Sequence, residues 1–542
     1  MIKKTIALIQ ITRIGDVIQT CIAADQLKRE QKDIELVLIT RKKFGKGLEF
    51  LTKGLFKEVI YIDLKDYIKS KNDNLESVID NFDTSFFHKL EKHRFDAVIN
   101  LSFSKSSSYL CQLIKSSNKL GLTRNKQGQV AINDQWSQYV YANVQNGTLN
   151  TFNLVDIFKF MLGTKETVFK GCSEESSNTI SIHPFASQKK KMWGNHKWVE
   201  FIYKFLKDNP DYTINLIGAE SDAEQVSKMI NSSTLTNFQE RINTVVGESL
   251  EFVYQTINQS RLLVCHDSMA SHLAAINTVP TIVLSLGVVR PNETTPYSNN
   301  VLNLVPKRSC FPCTIQTKCD LLPCHKDINH QLVSKLTSAI LNGSEINAEF
   351  FSKEVSPFFM ESVDIYASNF ENGFMELSKI NESSFTSQNM METYYKIIWS
   401  YFFKEIEINT FIPTLSDTVK KDLYNNREGV KYLFELINFG LKFSNAIVNA
   451  AADINPDYNL INEYVAKLGE IDKLLTLTKN TCPQLQPVVD YFYVAKANVA
   501  GRNIKEISEN SLLLYYSLNN MCKVLYDLIS STLKDEGAHL ES

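Results

Sequence analysis

Four stretches of this 542-residue chain carry residue types and spacings able to bind a ligand or a metal ion or to do chemistry. The first is Cys265-His266-Asp267-Ser268-Met269-Ala270-Ser271-His272-Leu273-Ala274-Ala275, which follows the apolar run Arg261-Leu262-Leu263-Val264. The run reads as a buried strand and the alanine-rich part as a helix, with Asp267 or Ser268 as its N-cap. The unpaired N–H groups of the first helical turn then point back at the strand end, where the positive end of the helix dipole also lies. An anion site results. The second stretch, His183-Pro184-Phe185-Ala186-Ser187-Gln188-Lys189-Lys190-Lys191-Met192-Trp193, sets three lysines beside a serine. A serine hydroxyl can donate to a phosphate oxygen and a lysine can neutralise it. A solvated basic loop is the plainer reading, against which Trp193 and the nearby Trp198 speak. The third is Gly15-Asp16, a tight turn beyond the first strand followed by a carboxylate at a helix start, which taken alone reads as one that interacts with the helix dipole. The fourth is Cys310-x2-Cys313-x5-Cys319-x4-Cys324. Four thiolates so close in sequence can surround one zinc or iron ion tetrahedrally; unligated thiols or a redox pair are the alternatives.

The elements that must position these groups alternate. Residues 5–11 read as a strand and 16–30 as a helix with Val17, Ile18, Cys21, Ile22 and Leu27 on one face. Strands follow at 36–40, 59–64 and 95–101. A polar region, 115–150, containing Trp136, Tyr139 and Tyr141, is expected to finish the first domain, and 171–178 reads as a linker. Alternation restarts with strands at 179–184, 212–218, 243–246, 261–264, 280–286 and 301–305. Strands separated by helices imply parallel sheets covered on both faces, with ligands bound beyond the carboxyl ends of the strands. From about residue 348 the spacing turns helical, with segments at 392–406, 416–424, 429–452, 458–478 and 508–534. The fold class is therefore α/β, two Rossmann-like domains at 1–172 and 179–342, followed by an all-α domain at 348–542.

Composition sets the limits. Hydrophobic residues make up 44% and charged residues 22%, an ordinary globular balance. The net charge of −2 excludes global attraction to nucleic acid. No apolar run is long enough to span a bilayer. The opening Met1-Ile2-Lys3-Lys4 lacks a cleavage site downstream and reads as the approach to a first core strand. Scattered thiols then suit a reducing cytoplasm.

The turn Thr12-Arg13-Ile14-Gly15-Asp16-Val17, the segment His183 to Ser187 leading to Lys191-Met192-Trp193, and Asp267 to Ala275 occur in the order and at the distances that resemble glycosyltransferase family 9, the bacterial ADP-heptose heptosyltransferases. The resemblance covers roughly residues 1–342. It implies a GT-B fold and inverting transfer from an ADP-sugar without a catalytic metal. By resemblance Asp16 is the general base. Ser187, Lys191, Asp267, Ser268, Met269 and His272 stand at donor-binding positions, with Asp222 or nearby Glu224 at the ribose. Two departures stand out, Met269 and Phe185, where the family usually has glycine. A comparable cysteine cluster occurs in a branch resembling iron-binding heptosyltransferases that modify autotransporter proteins, which implies a structural iron or zinc at Cys310, Cys313, Cys319 and Cys324.

The expected activity is heptose transfer to a lipopolysaccharide core, in the cytoplasm or peripherally at the inner face of the inner membrane. A bacterial surface or flagellar protein is the rival acceptor, and a non-catalytic scaffold the rival class. The added helices read as core packing, or as a surface for self-assembly or for docking an acceptor protein.

Overall fold

The computed structural model describes residues 3–63, 85–145, 147, 149–164, 177–314, 317–381, 385–404, 415–452 and 456–534. Most of the linker expected at 171–178 lies outside them, as do Leu64 and Ile406 at the ends of expected elements. Backbone contacts divide the chain into two units, Met1–Lys119 with Phe152–Ser383 and Leu120–Thr151 with Ser384–Ser542.

The first unit begins with β1 (Lys4–Gln10), α1 (Ile14–Glu30), β2 (Ile34–Arg41), β3 (Glu58–Ile62), β4 (Ala97–Asn100) and α2 (Lys105–Leu113). These strands pair in parallel in the order β3-β2-β1-β4, with Leu8 opposite Leu38 on one side and Ile99 on the other. Their apolar runs are near-continuous because both faces are covered. The order reverses at β1, so the crevice beside Asp16 is a topological switch point. Next in the chain, β5 (Asn118–Arg124) and β6 (Val130–Ile132) form an antiparallel hairpin that leads into the second unit.

The first unit resumes with α3 (Leu154–Leu162), which packs on α1. The second sheet contains β7 (Thr179–His183), β8 (Thr213–Gly218), β9 (Ile242–Val246), β10 (Leu262–His266), β11 (Thr281–Leu284) and β12 (Val301–Pro306). Its helices are α4 (Asn195–Asp208), α5 (Ala223–Ile230), α6 (Leu250–Asn258), α7 (Met269–Ile276) and α8 (His330–Leu341). Two further strands, β13 (Val363–Glu371) and β14 (Phe374–Lys379), complete the order β14-β13-β12-β11-β10-β7-β8-β9. The last two run antiparallel, in a stretch the sequence reading assigned to helix. Val363 and Ile365, two residues apart and fully buried, give this stretch the period of a strand packed on one face.

A buried polar knot ties α3 to the second sheet. Asp156 and Lys159 are both fully buried and lie 3.7 Å apart. The Tyr297 hydroxyl donates to Asp156 at 2.5 Å, the Lys159 ammonium donates to Tyr297 at 3.0 Å, and the Met375 N–H donates to Asp156 at 2.9 Å. Each buried charge is thereby paired and hydrogen-bonded, the condition for tolerating it away from water.

The second unit joins the β5–β6 hairpin and residues 135–145 to five helices, α9 (Ser387–Lys404), α10 (Asp417–Ala452), α11 (Tyr458–Thr481), α12 (Gln486–Ala497) and α13 (Ile504–Thr532). Residues 120–151 group here, instead of closing the first domain, because their large aromatic side chains find cover on α9. Trp136 meets Phe403 edge-on at 5.2 Å, and Tyr139 meets Trp399 at 5.5 Å. The Ile132 N–H donates to Asn498 at 2.7 Å. Helix α10 runs unbroken through Gly429, where the sequence reading placed two helices. Gly440 on the same helix lets it approach α13, since a Cβ there would stand 2.4 Å from the Tyr515 ring. Pro487 starts α12 and breaks nothing, as the first helical turn has no use for its missing N–H. No helix among the described residues is long and apolar enough to cross a membrane.

Candidate active site

The carboxyl end of β10 delivers His266 and Asp267, and α7 starts two residues later at Met269. Ser268 is the N-cap in extended conformation, but its side chain makes no capping bond. Its hydroxyl instead lies 3.1 Å from His183 Nδ1 at the end of the neighbouring β7. The Ser271 N–H donates to Ser268 O at 3.2 Å, which leaves the N–H groups of Met269 and Ala270 for another acceptor. Lys191, in a short turn after β7, donates to Asp267 at 2.5 Å, and both side chains are more than nine-tenths buried. Burial alone would raise the Asp267 carboxyl. The Lys191 and His272 charges and hydrogen bonds from Lys191 and Thr294 outweigh it and hold the group below the usual carboxylate range.

Two buried histidines brace this arrangement. His266 Nε2 accepts the Trp193 N–H at 3.0 Å, and its ring meets Trp198 edge-on at 5.2 Å. The exit of the lysine turn is thereby pinned to the end of β10. Burial pushes His266 down to about 3 and His183 down to about 4, so both are neutral at pH 7. Neither was assigned a role from the sequence, although both lie inside the motifs read there. A histidine closing an apolar strand next to a motif aspartate was the available signal.

Across from α7 stands the first turn of α1. A Cβ on Gly15 would stand 3.0 Å from the His272 ring, a contact tight enough that the imidazole would have to give by a few tenths of an ångström. Asp16 Oδ2 accepts the Arg13 N–H at 3.1 Å and lies 2.6 Å from the Thr12 hydroxyl. That hydroxyl is also 2.5 Å from Gln10 Oε1 and can donate to only one of the two. Asp16 therefore caps its helix and is half-exposed at the same time. His272 is buried, and burial holds it below its ordinary value against the pull of Asp267 and Asp16. Its Nδ1 has no hydrogen-bond partner among the described residues.

The remaining sequence-read positions are distributed around this centre. Met269 is the first residue of α7 and half-buried, and Ser187 is exposed in the turn before Lys191. Asp222 accepts the Ala219 N–H at 2.9 Å and so caps the turn after β8. Glu224 is exposed and paired with Lys228 at 2.5 Å. Phe185 points into the core of the second sheet, where Gly218 leaves room for its ring. It takes no space from a ligand at the strand ends.

The cysteine loop packs on the lysine turn. Gly287, with φ +64, carries the contact, because a Cβ there would stand 2.5 Å from the Lys190 carbonyl. The Cys313 N–H donates to Gly287 O at 2.8 Å, His325 Nε2 donates to Lys190 O at 2.8 Å, and the Lys190 ammonium donates to Thr317 O. Burial raises the Cys313 thiol, and its neighbours Cys310 and Cys319 raise it further. Cys324 is raised by burial, with Cys313 and Cys310 adding to it. Among the described residues no set of three or more His, Cys, Asp or Glu side chains converges closely enough to hold a metal ion. The thiols are neighbours without forming a coordination shell.

Two Rossmann-like halves, with a carboxylate turn on one and a lysine-braced helix start on the other, define the fold class as GT-B-like. Residues 84–323 match the family model for glycosyltransferase family 9 (heptosyltransferase). The match spans less than half of the chain, and Asp16 and Cys324 lie outside the matched segment. No curated protein matches it in sequence. Among solved structures, Escherichia coli heptosyltransferase WaaC with ADP is 16% identical over 55% of this chain and 92% of its own, with a TM-score of 0.43. A family 9 glycosyltransferase from Veillonella parvula is 16% identical over 63% and 99%, with a TM-score of 0.46. The iron-containing dodecameric glycosyltransferase TibC from enterotoxigenic E. coli is 10% identical over 63% and 76%, with a TM-score of 0.36.

Proposed function

We propose that the chain moves a heptose, or a related sugar, from an ADP-linked donor to an acceptor hydroxyl with inversion. The observation that carries this reading is the pairing of Lys191 with Asp267 at the open first turn of α7, opposite the Asp16 turn across the Gly15–His272 contact. Lys191, Ser187, the Ser268 hydroxyl and the N–H groups of Met269 and Ala270 meet the diphosphate. They stabilise the charge that builds on it as the glycosidic bond breaks, and so take the role a metal ion has elsewhere. Lys191 exchanges part of its contact with Asp267 for phosphate oxygens. His272 Nδ1, lacking a protein partner, is available to the donor, and the unpaired oxygen of Asp222 to the ribose. Asp16 takes the proton of the acceptor hydroxyl as that oxygen attacks the anomeric carbon from the face opposite the diphosphate.

A lipopolysaccharide core acceptor is supported by the basic rim at the carboxyl ends of β1, β2 and β4, formed by Arg13, Arg41, Lys43, Lys46 and Lys105. Such a rim attracts phosphate- or carboxylate-bearing glycans to the Asp16 crevice. A protein acceptor is the second reading. It is supported by exposed Tyr424, Tyr432 and Phe439 along one face of α10, a surface able to dock a protein or a second copy. On either reading the enzyme works in the cytoplasm, where it can meet the inner face of the membrane.

The test is a panel of nucleotide sugars scored by thermal stabilisation and donor turnover, followed by acceptor glycans and unmodified surface proteins. ADP-heptose should stabilise the protein and be consumed. No response to any ADP-sugar would leave the scaffold reading standing. We further propose that the four cysteines hold a structural iron or zinc, whose binding draws the neighbouring thiols together. Elemental analysis of anaerobically prepared protein should find about one metal ion per chain, as expected for a four-thiolate site; essentially none would overturn this.

A further inference from the structure

The two helices that carry Asp16 and His272 at their N-terminal ends line a second cavity with their other ends. It measures about 390 Å³ and is bounded by Cys21 to Lys28 of α1, the turn around Lys53, Tyr254 of α6 and the last turn of α7. This volume lies in the range of small-molecule sites. Along α1 it extends from about 8 Å to about 18 Å from Asp16, at 1.5 Å per residue from Cys21 to Lys28.

The walls differ in chemistry. Ile22, Phe50 and Ile276 present an apolar side, and the Phe50 ring, from the first half, stands 5.0 Å from the Tyr254 ring of the second half. Lys28 and Lys53 are also in the lining, Lys28 donating to Gly54 O at 3.3 Å. The one lining carboxylate, Asp25, is engaged by Arg29 at 2.9 Å, so the local balance is positive although the whole chain is not. The Cys21 thiol is pushed up to about 12 by burial and is no nucleophile there.

We propose that this cavity is a second, non-catalytic binding site for a small organic anion with an apolar or aromatic body. The ring lies against Phe50 and Tyr254 and the anionic group meets Lys28 and Lys53. Because both halves supply walls, the occupant sets the spacing between α1 and α7, and with it the approach of Asp16 to the donor site. This last consequence rests on the functional reading above; the binding site does not.

Anilinonaphthalene sulfonate is a suitable probe, being an aromatic body with one anionic group. The full chain should bind one equivalent saturably by fluorescence and calorimetry. Lys28→Ala with Lys53→Ala should weaken binding about tenfold or more. Ile22→Trp, which fills the cavity from a half-exposed position, should abolish it while leaving circular dichroism unchanged. Dye binding indifferent to both changes would overturn the proposal. Dye and ADP should shift each other's affinity by one common factor, as linkage requires. Equal dye affinity with and without ADP, in protein that binds ADP, would overturn the coupling. Failure to bind ADP at all would instead overturn the proposed function and leave the dye result intact.

Discussion

Asp16 does two things at once, and the two separate under mutation. As the N3 residue of α1 it accepts the Arg13 N–H, a contact whose loss costs about 1 kcal/mol of stability. As the proposed base its loss should cost about 10²- to 10⁴-fold in turnover. Asp16→Ala should therefore melt only slightly lower, bind ADP within about twofold of the parent by calorimetry, and transfer almost no sugar; full activity would place the base elsewhere. His183 and His266 make a different statement. Both are buried neutral, with values pushed down to about 4 and about 3, against an ordinary 6.5 in the unfolded chain. Between those limits only the unfolded state gains a proton, so stability falls as pH falls through the window from 6.5 downward. The slope should approach about 1.4 kcal/mol per pH unit per imidazole. Asp267, held below the usual range, adds to the loss at lower pH, as its proton must be taken up there. Urea midpoints at pH 7 and pH 5 check this, and His183→Asn should flatten the difference.

At the scale of elements, the lysine turn after β7 is held from three sides. His266 grips the Trp193 N–H, Asp267 grips Lys191, and the cysteine loop rests on the Lys190 carbonyl through Gly287. Gly287→Ala would have to adopt φ +64 with a methyl 2.5 Å from that carbonyl, so the turn must move. The expected cost is about 1–3 kcal/mol of stability, together with a rise of about tenfold in the ADP dissociation constant. An unchanged ADP affinity in calorimetry would show that Lys191 reaches its ligand without this brace. The order and type of the strands near the site were readable because near-continuous apolar runs between helices admit few other structures. The hairpin β13–β14 was not readable. Its Val363–Ile365 alternation is short, and the edge of β12 that it covers lies some sixty residues away in sequence.

For the whole molecule, residues 120–151 join a unit whose other part begins at residue 384. Trp136 and Tyr139 take their cover from Phe403 and Trp399. Ending the chain at Ser383 should strip both rings, each worth roughly 150–250 Å² of burial, and yield protein that aggregates on size-exclusion chromatography. A compact monomer that binds no more of a dye for exposed apolar surface than the full chain does would mean that this segment folds without α9 to α13.

Taken alone, the sequence determined the α/β alternation, the helical third, the candidate base and the lysine and α7 motifs, because each is written in residue types and spacing within one element and its caps. Only the tertiary structure decided that Ser268 serves His183 and not its own helix, that Phe185 lies in the core, and that Gly15 lies against His272. It also decided that the four cysteines stand near one another without closing around a point. Those facts depend on which strand ends lie side by side, a long-range choice made by burial of whole faces, which no local spacing encodes.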